Sequence, residues 1–303
     1  MRSVVFGWFL LCLFSCGKRE AVNNLDVSVP PIVKAIIESI HDPIDSRGLQ
    51  YNSQISENSY IVKSLFTEQG NLKQKEKYDQ KGNMEWREVN SYDKSNNPIK
   101  QVLYHYRKVS RKTINRFNEL NQLIESTIFD ADGKLIEKKL AQFNSQQERT
   151  LTFYILKRGV LEKNSASVFN KSGNNTENLF FTDKKLVRQE LNKYDNRGNR
   201  TESLEIDLNS GMKKLTHFNY NIRNDMTEMI TLNASLMIES RITYAYDSGH
   251  RLIKRSGYGV VGNHQGSKDF LYEFDATGQW IKLITFEERK AVSITVRNIE
   301  YYR

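Results

Sequence analysis

From about residue 60 onward, apolar and polar positions alternate over runs of about seven to nine residues, then break at clusters rich in Asp, Asn and Gly. Arg241-Ile242-Thr243-Tyr244-Ala245-Tyr246 puts Ile242, Tyr244 and Tyr246 on one face of an extended chain and Arg241 and Thr243 on the other. Met226, Glu228, Ile230 and Leu232 share a face, so the alternation is imperfect. A period of two with Thr, Ile, Tyr and Phe favours strands over helices. The chain before residue 50 differs. It is polar to Val29, and Pro30-Pro31 then precedes IVKAIIESI, with Ile32, Ile36 and Ile40 at spacing four. Proline at the start of such spacing predicts a short amphipathic helix over 31–40, ended by His41-Asp42-Pro43. It would cover one end of the following domain, or lie on a membrane or partner.

The breaks recur with a fixed rhythm. Phe66, Tyr92, Phe117, Phe143, Phe169, Tyr194, Tyr220, Tyr246 and Phe274 are separated by 25 or 26 residues, and by 28 at the last step. Eight of these nine rings are followed by Asp or Asn, among them Asp93, Asp195, Asp247 and Asp275. Seven have Gly or Asn four places on: Gly70, Asn96, Asn121, Gly173, Gly198, Asn224 and Gly278. A second series follows each ring by about 12 residues: Tyr78, Tyr104, Phe129, Tyr154, Phe181, Ile206, Leu232, Tyr258 and Phe286. Tyr78-Asp79-Gln80-Lys81-Gly82 repeats the same turn pattern.

The physics of one unit explains these residue types. Asp or Asn at the first position of a type I turn accepts a backbone N–H, and the fourth residue takes a positive φ that Gly adopts freely. Such a turn makes a hairpin with a one-residue bulge. A 26-residue period is then two strands and two turns. The expected fold is all-β: an antiparallel meander of about 18 strands, curled into a spiral, a partial barrel or an elongated curved sheet. The first-series rings should recur every second strand, on one face and at one end. Tyr244-Ala245-Tyr246-Asp247-Ser248-Gly249-His250-Arg251-Leu252, KYDQKGN (77–83) and KYDNRGN (193–199) resemble YD repeats, also called RHS repeats, over about residues 60–303. In large toxins such repeats coil into hollow cocoons around a cargo. This chain is too short for that role, so the resemblance implies a curved scaffold or contact surface.

The N-terminus carries a different signal. Met1-Arg2-Ser3 is followed by the uncharged run Val4 to Phe14, too short to span a bilayer and suited to a secretory leader. Leu13-Phe14-Ser15-Cys16-Gly17 resembles the lipobox of bacterial lipoproteins, although Phe14 is bulkier than the strict pattern. The resemblance implies cleavage after Ser15 and a diacylglycerol on Cys16. It also implies a membrane-anchored lipoprotein of the bacterial cell envelope, outer membrane first, with the face left open. The expected organisation is a leader over 1–15, a lipidated tether over 16–50 and a repeat domain over 51–303. Cys12 would leave with the leader, so no disulfide is expected.

Composition narrows function by exclusion. The chain has 303 residues, 27% of them charged, a formal net charge of +9 and only two Cys, and it lacks several long apolar runs. It is therefore not a polytopic helical membrane protein. None of the five His sits at metal-ligand spacing, and Asp130-Ala131-Asp132-Gly133 has Ala141 where a calcium loop needs Glu. Gly257-Tyr258-Gly259-Val260-Val261-Gly262 matches the dinucleotide fingerprint in letters, but Asn263-His264-Gln265-Gly266-Ser267 follows it instead of a helical pattern. It reads as a loop insertion. No metal, no cofactor beyond the lipid, no catalytic residue and no nucleic-acid partner is expected. The dispersed cations suit a protein or anionic-glycan ligand. A lipid- or lipoprotein-handling module with an apolar groove, and a glycan-active enzyme, are the alternatives.

Overall fold

The computed structural model describes residues 31–51 and 60–302. Its regular elements are twenty strands and one three-residue 3-10 turn, Val260–Gly262. The first strands are β1 (Val33–His41), β2 (Ile61–Phe66), β3 (Leu72–Tyr78), β4 (Met84–Tyr92) and β5 (Pro98–His105). They are followed by β6 (Lys108–Phe117), β7 (Leu123–Phe129), β8 (Leu135–Phe143), β9 (Arg149–Lys157) and β10 (Val160–Phe169). Next come β11 (Asn175–Thr182), β12 (Lys185–Tyr194), β13 (Arg200–Asp207), β14 (Lys213–Tyr220) and β15 (Met226–Leu232). The series ends with β16 (Ile238–Tyr246), β17 (Leu252–Tyr258), β18 (His264–Phe274), β19 (Trp280–Glu287) and β20 (Lys290–Tyr301).

From β2 to β20 each strand pairs antiparallel with the next, and β1 pairs with both β2 and β20. The meander therefore closes into a β-barrel. Each residue of the two sequence series marks the end of one strand, which accounts for eighteen. The two additional strands, β1 and β20, carry no such mark and make the closure.

The helix expected over 31–40 is overturned, because Val33–His41 is a strand. Spacing of four is also even, so Ile36 and Ile40 share one face of a strand as readily as one stripe of a helix. The sheet decides between them. A helix would leave the edges of β2 and β20 unpaired, whereas an extended β1 satisfies both. The repeat domain consequently begins at about Pro31 rather than at residue 51. The seam is reinforced by Arg297 Nε donating to Glu38 Oε2 at 2.9 Å and by the Tyr302 hydroxyl donating to the Phe66 carbonyl at 2.7 Å.

The register traced around the ring sorts side chains into two faces. Face A carries the first-series rings and face B the second. Neither face is a filled core. Among the described residues only Ala35, Ile128, Ala166, Phe218, Ile284, Ala291 and Ile294 are buried apolar side chains. That follows from strand number, since about eight strands suffice to enclose a side-chain core and sixteen or more leave a lumen. The densest packing is local. Ile284, Ala291 and Ile294 are joined by Tyr51, Phe286 and Val296. The segment 42–51 folds over this cluster, where Ala291 N donates to Ser46 O at 2.9 Å. Gly48 belongs there because a Cβ would lie 2.7 Å from Ile284 Cγ2.

Candidate functional site: the two rims of the barrel

Even-numbered strands end at one rim and odd-numbered strands at the other. Rim 1 is built by the nine turns that follow β2 through β18, and all nine have one form. In Asp195–Asn199 the Asp195 carboxylate accepts the N–H of Arg197 at 2.9 Å and of Asn199 at 2.8 Å, while Gly198 N donates to Asp195 O. The residue four places after each ring has positive φ: Gly70, Asn96, Asn121, Gln147, Gly173, Gly198, Asn224, His250 and Gly278. In the turn after Tyr246 this is His250, not the neighbouring Gly249.

Neighbouring turns of rim 1 are also tied to one another. Asn97 Nδ2 donates to Asn121 Oδ1 at 2.8 Å, and Asn199 Nδ2 to Asn224 Oδ1 at 3.0 Å. His250 Nδ1 lies 2.6 Å from Asp225 Oδ1. Below the turns, the Tyr92, Tyr194 and Tyr220 hydroxyls donate to the Leu72, Asn175 and Arg200 carbonyls of the preceding strand. Burial pushes these phenols above their ordinary pKa. Phe66, Phe117, Phe143 and Phe169 stand half-buried in the same row with no polar tip, and Phe274 is more exposed. Amides of Asn97 and Asn199 hold the Asp93 and Asp195 carboxyls below the usual range. The Tyr301 hydroxyl, with that of Thr277, pulls Asp275 down to about 2. Rim 1 is a self-satisfied hydrogen-bonded belt.

Rim 2 is irregular. Asp79–Asn83 repeats the rim 1 turn, with Gly82 at φ 78°. Asp130–Lys134 and Asn233–Met237 do the same, with Gly133 and Leu236 at positive φ, whereas four connections shrink to two residues, both at positive φ: Tyr106-Arg107, Arg158-Gly159, Asp183-Lys184 and Glu288-Arg289. These are the φ signs of type I′ hairpins, which Asn-Gly usually fills. The residues of rim 2 also differ in kind. Lys81, Arg107, Lys134, Arg158, Lys184 and Arg289 lie in its turns, flanked by Lys108, Lys157, Lys185, Lys213 and Lys290. In rim 1 the acids Glu68, Asp93, Glu119, Glu148, Asp195, Asp225, Asp247 and Asp275 outnumber the basic turn residues. Rim 2 further exposes large apolar side chains over adjacent connections: Leu208, Met212, Leu236, Met237 and Ile238, with Val260 next along the rim.

The sequence-named motifs resolve as follows. Gly257–Gly262 leads into a three-residue 3-10 turn, which is no dinucleotide cradle. Asp130-Ala131-Asp132-Gly133 is a turn in which Asp130 accepts the N–H of Asp132 and Lys134. No group of three or more His, Cys, Asp or Glu able to hold a metal occurs among the described residues. No described helix is long and apolar enough to cross a membrane. Ser15 and Cys16 lie outside the described residues. A cleft of about 430 Å³ opens near rim 2 across β16 to β19, where Gly257 and Gly266 face each other in register. Nothing in the repeat pattern marks it. The signal that could have found it is the two-residue lengthening of that one repeat.

Both faces carry charges at mid-strand, with Glu88, Arg111, Lys139 and Arg255 on face A and Glu76, Arg87, Lys112 and Lys254 on face B. An Arg or Lys at the middle of a lipid-facing barrel band costs about 2–4 kcal/mol. Neither face has the apolar composition of such a band.

No family model and no curated protein matches the chain. Among solved structures it is similar to the TcdB2-TccC3-Cdc42 complex, with a TM-score of 0.37 and 10% identity, over 79% of this chain and 15% of that one. It is similar to a porin-like protein from Bacteroides uniformis, with a TM-score of 0.34 and 9% identity, over 88% of this chain and 98% of that one. For the Photorhabdus luminescens Tc holotoxin pore the TM-score is 0.30 at 9% identity, over 84% of this chain and 17% of that one. The chain thus spans well under two thirds of the toxin chains it matches. Likeness at this level carries no argument about function.

Proposed function

We propose that the protein is a lipid-anchored component of the bacterial cell envelope that binds a protein or anionic-glycan partner without catalysis, using rim 2 as its contact surface. The observation that carries the reading is the run of exposed Leu208, Met212, Leu236, Met237 and Ile238 beside Lys213 and Lys214. Exposed apolar patches bordered by charge mark interaction surfaces, whereas rim 1 spends its polar groups on itself. A lipid-handling groove and a glycan-active enzyme find less support among the described residues, where both faces carry mid-strand charges and both carboxylates of the cleft are engaged. In the cleft, Glu287 is bound to Lys268 at 2.7 Å and Glu288 accepts Ser267 N at 2.9 Å.

Two measurements test this. Labelled palmitate should enter the protein, and Cys16→Ala should abolish its entry; equal labelling of both would remove the anchor. Crosslinking in intact envelopes should recover a partner or a glycan that Met212→Asp with Leu236→Asp loses. Recovery unchanged by that double substitution would remove rim 2 as the contact surface.

A further inference from the structure

The cleft at β16–β19 has the architecture of a ligand site, and it deepens the binding reading above, on which it rests. Its floor exists because Gly257 and Gly266 are direct cross-strand partners, with Ile242 opposite Gly257 on the next strand. Two missing side chains leave a dish in face A, open at Gly257 and bordered at Gly266 by the Glu288 carboxylate, whose Oε1 lies 3.6 Å from where a Cβ would stand. One step along the same face, Arg255 and Lys268 are direct partners. Like charges in that position repel and destabilise a sheet. Every other cation paired across the described strands faces an acid, a neutral polar residue, an apolar residue or a ring. Lys268 is relieved by Glu287 at 2.7 Å. Arg255 is not: among the described residues no carboxylate, carbonyl or ring partners its guanidinium, and the hydroxyl of Tyr244 directly opposite it is likewise unpartnered. A half-buried guanidinium held beside an ammonium without a counter-ion is an anion receptor in waiting.

We infer that this dish binds an anionic saccharide, its phosphate or carboxylate taken by Arg255 and Lys268 and its ring laid over the Gly257–Gly266 floor. A volume of about 430 Å³ suits a sugar-sized body. Ser240 and Gln265 line the cavity and supply hydroxyl and amide groups, and Ile242 gives an apolar wall. The two extra residues of the final repeat lie in β18, the eleven-residue strand that carries Gly266 and Lys268, while the turn before it, Gly259–Asn263, keeps the five-residue form.

The test uses the full chain, titrated calorimetrically at low salt with glucose 6-phosphate, glucuronate, inorganic phosphate and glucose. At least one anionic sugar should bind, phosphate alone at least tenfold more weakly, and glucose not at all. Arg255→Gln should weaken that binding at least tenfold. Gly257→Leu should abolish it, because a Cβ at Gly257 meets only the Gly266 carbonyl at 3.9 Å and the side chain fills the dish without strain. Both variants should melt like the parent; if Gly257→Leu does not, Lys268→Met takes its place. Glucose binding as well as its phosphate, no binding by either anionic sugar, or affinity unmoved by Arg255→Gln overturns the inference. Binding of an anionic glycan polymer that survives both variants overturns the dish and leaves the broader function standing. Sugar binding without any rim 2 partner does the reverse.

Discussion

The two rims of the barrel are made by the same chain under the same repeat, yet they differ in almost every respect. Rim 1 uses one turn nine times, links its turns through Asn–Asn and His–Asp contacts, and hides its tyrosine hydroxyls under the preceding strand. Rim 2 mixes five-residue turns with two-residue hairpins in which both residues hold positive φ, and gathers exposed Leu208, Met212, Leu236 and Met237 on adjacent connections, whereas the exposed Leu120 and Ile222 of rim 1 stand on separate turns. Uniformity is what a repeat needs to stack unit on unit. Departure from it, where it costs backbone strain and exposes apolar surface, is where the chain has something other than stacking to do.

The largest effect is expected at the closure rather than at either rim. Ile37→Pro removes a donor from β1, which is paired on both sides, and should cost about 3 kcal/mol or more and open the seam. A urea midpoint shift with new proteolysis in β2 and β20 would show it; a parent-like midpoint would mean that the ring does not depend on β1. Next is Gly198→Val on rim 1. Gly198 sits at φ 84°, and a β-branched residue there should cost about 1–2 kcal/mol. The same change at Gly257, which has no positive φ, should leave the melting temperature nearly unchanged. Equal losses at the two sites would erase the distinction between a structural and a ligand-shaping glycine. Tyr194→Phe deletes one half-buried hydrogen bond of 2.7 Å and should cost about 1 kcal/mol. On rim 2 the sign reverses. Asp183-Lys184→Asn-Gly relieves two strained positions and should raise the melting temperature by a few degrees.

Much of this was legible in the residues. The spacing of the rings located all nine rim 1 turns, and six of them carry the full pattern of a ring, then Asp or Asn, then Gly or Asn, because local backbone chemistry fixes that conformation. His250 and Gln147 escaped because αL geometry is tolerated by residues that do not advertise it, once the turn and strands impose it. β1 was misjudged as helical because its pattern satisfies two periods, and only the two open edges, far away in sequence, decide between them. The dish left only the lengthened repeat as a trace, for the same reason. Gly257, Gly266, Arg255 and Lys268 mean little along the chain and acquire meaning only through register.

Acid offers the subtlest separation of the rims. Asp93, Asp195, Asp247 and Asp275 of rim 1 have carboxyls held below their ordinary pKa, the first two chiefly by an Asn side chain, Asp247 by the Arg251 N–H and Asp275 by Tyr301. A depressed carboxylate contributes stability that is fully present above its unfolded pKa of about 4 and is lost as pH falls through the folded value. For Asp275 that value is about 2, so its contribution should vanish between about pH 4 and pH 2. Asn118, Asn144 and Asn170 accept the same backbone N–H groups with a side chain that does not titrate. Replacing Asp93, Asp195, Asp247 and Asp275 together by Asn should therefore leave the fold intact at pH 7 and flatten the fall of the urea midpoint between pH 4 and 2. If the acid limbs of the parent and the fourfold variant ran parallel, the rim 1 carboxylates would be bystanders, and the belt would owe its order to backbone turns alone.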